Sequence, residues 1–138
     1  MRHKVFLFVI AAVLTIVCMT ANAKAKEPAT VVPIDQDGIQ KVEIVGGSYF
    51  FKPNYIVVKL NVPVELKISK ESGLTPHDMV ANSPEAGIVF QESLGSSAKT
   101  IRFTPIKIGV YPIYCSLSAP FSKSHREKGM EGAIEVVP

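Results

Sequence analysis

Apolar and polar residues alternate with a period of two over much of the chain beyond residue 38. Val64, Leu66 and Ile68 are separated by Glu65, Lys67 and Ser69, the pattern of a strand with one buried and one wet face. Ile39, Val42, Ile44 and Val45 are spaced by polar residues, and Gly46-Gly47 ends that run. Tyr49, Phe50, Phe51 and Pro53 follow, then Ile56–Val58 and Leu60, with a turn at Asn61–Pro63. Glu71–Gly73 turns again, Leu74–Ala81 carries His77, Asn82–Gly87 reads as a loop around Pro84, and Ile88–Phe90 is a short apolar run. In Ser96–Thr104, Lys99, Ile101 and Phe103 alternate with Ala98, Thr100, Arg102 and Thr104. Val110–Cys115 is rich in β-formers, and Gly132–Val137 closes the chain. No helical period lasts three turns, and there is no repeat or low-complexity segment. Seven or eight short strands, with a turn signal about every ten residues, predict an all-β fold: an antiparallel Greek-key β-sandwich over residues 38–138.

The N-terminus reads differently. Arg2, His3 and Lys4 precede an apolar run from Val5 to Val17, and Ala21-Asn22-Ala23 is a small-x-small cleavage site. Residues 1–23 are therefore expected to be a signal peptide, which places the mature protein in the periplasm or outside the cell. The run is short for a membrane span, and Val17 before Cys18 is not the small residue that lipoprotein processing needs. Lys24–Gln36 is polar and holds Pro28 and Pro33, so 24–37 is expected to be a flexible arm. Cleavage changes the charge balance. Of the 15 Lys and Arg residues, Arg2 and Lys4 leave with the leader, so 13 remain against 12 Asp and Glu. A balance so near zero gives no footing for nucleic-acid binding.

Cleavage also removes Cys18, and Cys115 becomes the sole thiol. A lone cysteine in an oxidising compartment is an inert buried thiol, an intermolecular partner or a metal ligand. Its neighbourhood favours the last. Tyr114–Gly132 reads Y-C-S-L-S-A-P-F-S-K-S-H-R-E-K-G-M-E-G and brings His125 and Met130 into the same stretch as Cys115. Thiolate, imidazole and thioether are soft or borderline donors that suit copper, and a second imidazole would complete such a site. The candidate is His77, in T-P-H-D-M-V. Met79 is expected in the core rather than on the metal. Glu65, Glu71 and Glu85 form no catalytic carboxylate pair, and no Ser-His-acid set or phosphate-cradling glycine loop is present, so the chain does not read as an enzyme.

Four segments together resemble the cupredoxins, the small blue copper proteins: F-K-P-N-Y-I-V-V-K, P-H-D-M-V, G-V-Y-P-I-Y-C and H-R-E-K-G-M-E-G-A-I-E-V. The resemblance spans roughly Val42 to Val137. It implies a mononuclear type 1-like site with His77, Cys115 and His125 as equatorial ligands and Met130 as the axial one. It implies one copper ion cycling between Cu(II) and Cu(I) in electron transfer, and redox partner proteins docking near His125. The Asp78 backbone N–H is implied as a donor to the Cys115 sulfur, and its carboxylate could pin the ligand loops. Leu117, Ala119, Pro120, Phe121 and Met79 could form a dry rim. Lys123, Arg126 and Lys128 surround His125, either as a solvated face or as a rim for an acidic partner. The chain departs from the family in its loop: nine residues, Ser116 to Ser124, separate Cys115 from His125. Ala119 stands where a binuclear centre would need a second cysteine. Two other functions fit the same residues, a periplasmic copper carrier or sensor module and a small copper oxidoreductase with substrate access.

Overall fold

The structure, a computed structural model, describes residues 28–138. The leader expected at 1–23 lies outside the described residues. Among the described residues no helix is long and apolar enough to cross a membrane.

Ten strands among the described residues form two sheets. They are β1 (Thr30–Val31), β2 (Gln40–Gly47), β3 (Phe50–Lys52), β4 (Tyr55–Lys59), β5 (Val64–Lys70), β6 (Asp78–Ser83), β7 (Ile88–Ser93), β8 (Lys99–Phe103), β9 (Gly109–Tyr114) and β10 (Glu131–Val137). One sheet has the order β1-β4-β10-β9-β6-β7 and the other β3-β2-β5-β8. The alternation read from the sequence sets the inward faces. Val64, Leu66 and Ile68 of β5 and Ile44 of β2 meet Ile56 and Val58 of β4, Ile113 of β9, and Ile134 and Val136 of β10 in one core. Each such side chain stabilises the fold by roughly 1.5–3 kcal/mol relative to exposure. Gln40 is buried among them with its amide fully used. Its Nε2 donates to the Lys59 and Val62 carbonyls, and its Oε1 accepts from the Lys59 N–H. The β4–β5 turn is thereby stitched to the start of β2.

The sandwich differs from the expected one in direction and in extent. Three of its pairings are parallel: β2 with β5, β4 with β10, and β1 with β4. Alternation specifies which face a residue turns inward, and it says nothing about which strand lies alongside or in what sense. The strand count rises because short edge pieces carry too little pattern to stand out. β1 is one, and it lies within the segment expected to be an arm. Thr30 and Val31 run beside Ile56 and Val57, the Val32 N–H donates to the Val57 carbonyl at 2.9 Å, and Val32 is buried. Residues Asn82 and Ser83, expected in a loop, instead extend β6 to pair with Val89 and Ile88. Pro84 then starts a single 3-10 turn, Pro84–Ala86, which Gly87 ends at φ 71°. Proline at the first position of a turn loses no hydrogen bond, so it stops the strand without breaking the sheet.

Candidate metal centre

One end of the sandwich carries the loops that the sequence singled out. Cys115 lies one residue beyond β9, and its N–H continues the ladder to the Met130 carbonyl at 3.0 Å. His77 lies one residue before β6, and its carbonyl is held by the Leu94 N–H at 2.9 Å. The long loop folds back on itself. The His125 N–H donates to the Leu117 carbonyl at 2.9 Å, and Ser118 bridges Ser124 in antiparallel sense. Residues 119–123 are thus a small tip, and the loop's length is spent outside the site. After the tip, Ser124 and Glu127 cap a short turn. The Ser124 N–H and hydroxyl both donate to Glu127 Oε2 at 2.8 Å, and the Glu127 N–H donates back to Ser124 Oγ at 3.2 Å. This reciprocal pattern is a capping box, of which Ser-x-x-Glu is the sequence form.

The turn delivers His125 and Met130 together. The Met130 N–H donates to the His125 carbonyl at 3.0 Å, and Gly129 takes φ 104°, a conformation open to glycine. Gly132 is required for a different reason. A Cβ there would lie 2.0 Å from the Asn54 carbonyl oxygen, so only glycine lets β10 close against the start of β4. The Met130 side chain is fully buried, with its terminal methyl beside Gly46.

The side chains of His77, Cys115 and His125 converge. Their donor atoms all lie within 4.8 Å of one another, and all three residues are buried. The two Nδ1 atoms are 3.2 Å apart, and Cys115 Sγ is 3.5 Å from His125 Nδ1. Two imidazole lone pairs and a sulfur aimed at one buried point repel unless a proton or a cation lies between them. The donor set therefore fits a soft or borderline metal ion. Burial pushes both imidazoles below their ordinary pKa of 6.5. At His77 the charges of His125 and Lys70 add to this, and at His125 that of Lys128 does, while Asp78 opposes at both. Burial pushes the Cys115 thiol up, against the backbone N–H groups of Asp78 and Leu117, which favour the thiolate. Neutral imidazoles are the form that binds a metal; at sulfur the two N–H groups favour the thiolate that a metal needs, while burial and the Asp78 carboxylate favour the thiol.

The other residues singled out fall in separate places. Met79 is in the core. Leu117 is half-buried against the core, but Ala119, Pro120 and Phe121 are exposed, so the tip does not close as a dry rim. His125 retains only 4% of its surface, as little as His77. Arg126 pairs with Glu131 at 3.0 Å and lies over the Tyr114 ring, Lys123 lies close enough to Glu127 to act on its charge, and Lys128 turns to Tyr49. Tyr49 and Ser116 were not legible as site residues, because both reach the centre through contacts distant in sequence.

No family model and no curated protein sequence matches this chain. Solved structures do. The metal-binding domain of the Cu(I)-exporting P-type ATPase CopA of Streptococcus pneumoniae D39, determined with Cu(I), superimposes with a TM-score of 0.61 at 23% identity, covering 80% of this chain and 97% of that one. Reduced auracyanin from Roseiflexus castenholzii gives 0.56 at 19%, covering 71% and 97%. Auracyanin A, a blue copper protein from Chloroflexus aurantiacus, gives 0.53 at 16%, covering 72% and 100%. This chain has the cupredoxin fold. Within the cupredoxin fold, His77, Cys115, His125 and Met130 all stand at the loop end of the sandwich on connections between strands, Cys115 directly after β9.

Proposed function

We propose that this protein binds one copper ion through His77, Cys115 and His125, with the Met130 thioether as a fourth, weaker donor, and carries single electrons between partner proteins. The observation that supports it most is the convergence of one thiol and two imidazole Nδ1 atoms at a single buried point. Copper, when bound, supplies a one-electron Cu(II)/Cu(I) couple. The chain supplies the rest. Both histidines and the cysteine are anchored by backbone hydrogen bonds to neighbouring strands or to each other's loop, so the donors are held in place whichever charge they face. Burial keeps water from the donors, and the two N–H groups on sulfur offset part of its charge. Four donors leave no position for a substrate, so the reading is of a carrier rather than an enzyme.

Partner proteins would dock over the loop end, near His125, Lys123, Arg126 and Lys128. Glu127 and Glu131 lie among these cations, so the field that steers an acidic partner is modest. The leader expected at residues 1–23 would place this exchange in the periplasm or outside the cell.

Addition of copper(II) to the purified protein tests the site. An intense visible thiolate-to-copper band, lost in Cys115→Ser and in His77→Ala, is expected. A colourless preparation would overturn the reading. Met130→Gln should keep the band and lower the reduction potential, and an unchanged potential would remove Met130 from the set.

A second reading is favoured by the likeness to the CopA domain determined with Cu(I). On that reading the protein hands on copper rather than electrons. Rapid Cu(I) transfer to a competing thiolate acceptor, with no reversible voltammetric wave, would select it.

A further inference from the structure

Tyr49 stands in a backbone conformation that its own side chain disfavours. Ser48 and Tyr49 form the two-residue loop between β2 and β3, where Gly47 pairs with Phe50. Tyr49 has φ 68°, and Ser48 is not among the residues at positive φ. A loop with only its second residue at positive φ has the type II pattern, a position that suits glycine or asparagine. A bulky aromatic there is an outlier, and the turn itself offers no reason for it.

The reason lies across the molecule. The Tyr49 ring stands edge-on to both histidines of the centre, 5.0 Å from the His125 ring at 70° and 6.1 Å from the His77 ring at 88°. Lys128 Nζ lies 4.5 Å from the Tyr49 ring centroid and donates to its hydroxyl at 3.3 Å. Lys128 is itself set in place by its N–H, which reaches the Ser124 and His125 carbonyls. Three segments meet at this one ring: the β2–β3 loop, the β5–β6 connection and the capped turn at 124–129.

We propose that Tyr49, clamped by Lys128, is a positioning residue that fixes the ring planes of His77 and His125. The inference rests on the reading of these two histidines as metal ligands. Imidazole rotation about χ2 is soft, and a donor set holds its geometry only when neighbouring packing locks each ring. Edge-to-face contact with the two imidazoles supplies that lock, and the Lys128 ammonium holds the Tyr49 ring in place. The same geometry argues against the ring as an electron relay. A cation 4.5 Å from the ring centroid disfavours the positive charge that oxidation of the ring would create.

Tyr49→Asn removes the ring and tolerates the turn's positive φ. Imidazole NMR of the metal-free protein gives a readout that copper does not enter. In Tyr49→Asn the His77 and His125 ring signals should broaden or show two rotamers, while amide signals of the strands stay in place. Tyr49→Phe should keep both rings sharp, and Tyr49→Phe combined with Lys128→Met should broaden them. Affinity for copper(II) should fall about 10-fold in Tyr49→Asn, the order expected for loss of an outer partner of a ligand. Ring signals as sharp in Tyr49→Asn as in the parent would overturn the proposal. Amide changes spread through both sheets would overturn it too, by making Tyr49 a general structural residue. Should the parent refuse copper while its ring signals respond as described, the metal reading fails and the positioning contact stands.

Discussion

The Asp78 carboxylate receives both donors of Ser116, the backbone N–H at 2.7 Å and the hydroxyl at 2.5 Å. Asp78 directly follows His77 and Ser116 directly follows Cys115, so one carboxylate ties two arms of the centre together. Gln91 Nε2 adds a third bond at 3.2 Å. Hydrogen bonds to a charged group contribute about 1.5–3 kcal/mol. Asp78→Ala should lower the unfolding free energy of the metal-free protein by about that much, measured by urea titration. A change within error would mean that the loops are held without the carboxylate.

The pH dependence of stability should be a plateau with three falling edges, two on the acid side and one on the alkaline side. His77 and His125 are held below their ordinary value of 6.5 chiefly by burial. The unfolded chain therefore binds more protons below that pH, and stability falls as the pH drops through this range. Cys115 is held above its ordinary value of 9.0, again chiefly by burial. Its contribution is present below pH 9.0 and is lost as the pH rises further. A third edge belongs to Asp78. Burial pushes its carboxyl up, but the hydrogen bonds from Ser116, Cys115 and Gln91 outweigh burial and hold it below 3.8. That stability is present above pH 3.8 and is lost in stronger acid. Thermal midpoints of the metal-free protein across pH check all three, and His125→Gln should flatten part of the edge near neutrality.

Gly132→Ala should damage the fold more than its size suggests. Its methyl would lie 2.0 Å from the Asn54 carbonyl oxygen, and that oxygen already accepts from the Ala133 N–H at 2.8 Å. Backbone cannot swing aside as a side-chain end can, so the parallel β4–β10 pairing must open. A loss near the upper end of overpacking costs, about 3 kcal/mol, is expected. It corresponds to a fall in Tm of about 12–24 °C for a domain of this size. A fall of only a degree or two would show that the strands separate freely.

The loop tip should be dispensable for the metal centre. The Leu117–His125 hydrogen bond and the Ser118–Ser124 bridge close the loop below it. Replacing residues 119–123 by a two-residue turn should leave the copper band in place and change stability by less than about 1 kcal/mol, since loop-closure entropy varies slowly with length. Loss of the band would show that the tip positions His125. The same variant should alter the rate of electron exchange with a partner, because exposed Phe121 is removed with the tip.

Much of this protein was written in local pattern. The alternation at Val64–Ile68 and around Ile44 determined which faces turn inward, because a period of two is a property of the strand itself. Cys115, His125 and Met130 stood out as candidate ligands for a similar reason: they share one stretch, and their donor atoms are soft or borderline. His77 was the candidate partner by elimination and by resemblance, and the fold brings it to Cys115 and His125. What the sequence left open was every relationship that joins distant segments. The parallel pairing of β4 with β10, the docking of Val32 beside β4, the Asp78–Ser116 tie and the contact of Tyr49 with both imidazoles each link residues far apart along the chain. Local propensity at Tyr49 even pointed the other way, toward glycine. Only the packing of two sheets against each other brings such residues within reach, and the free energy of that packing is what overrules the local preference.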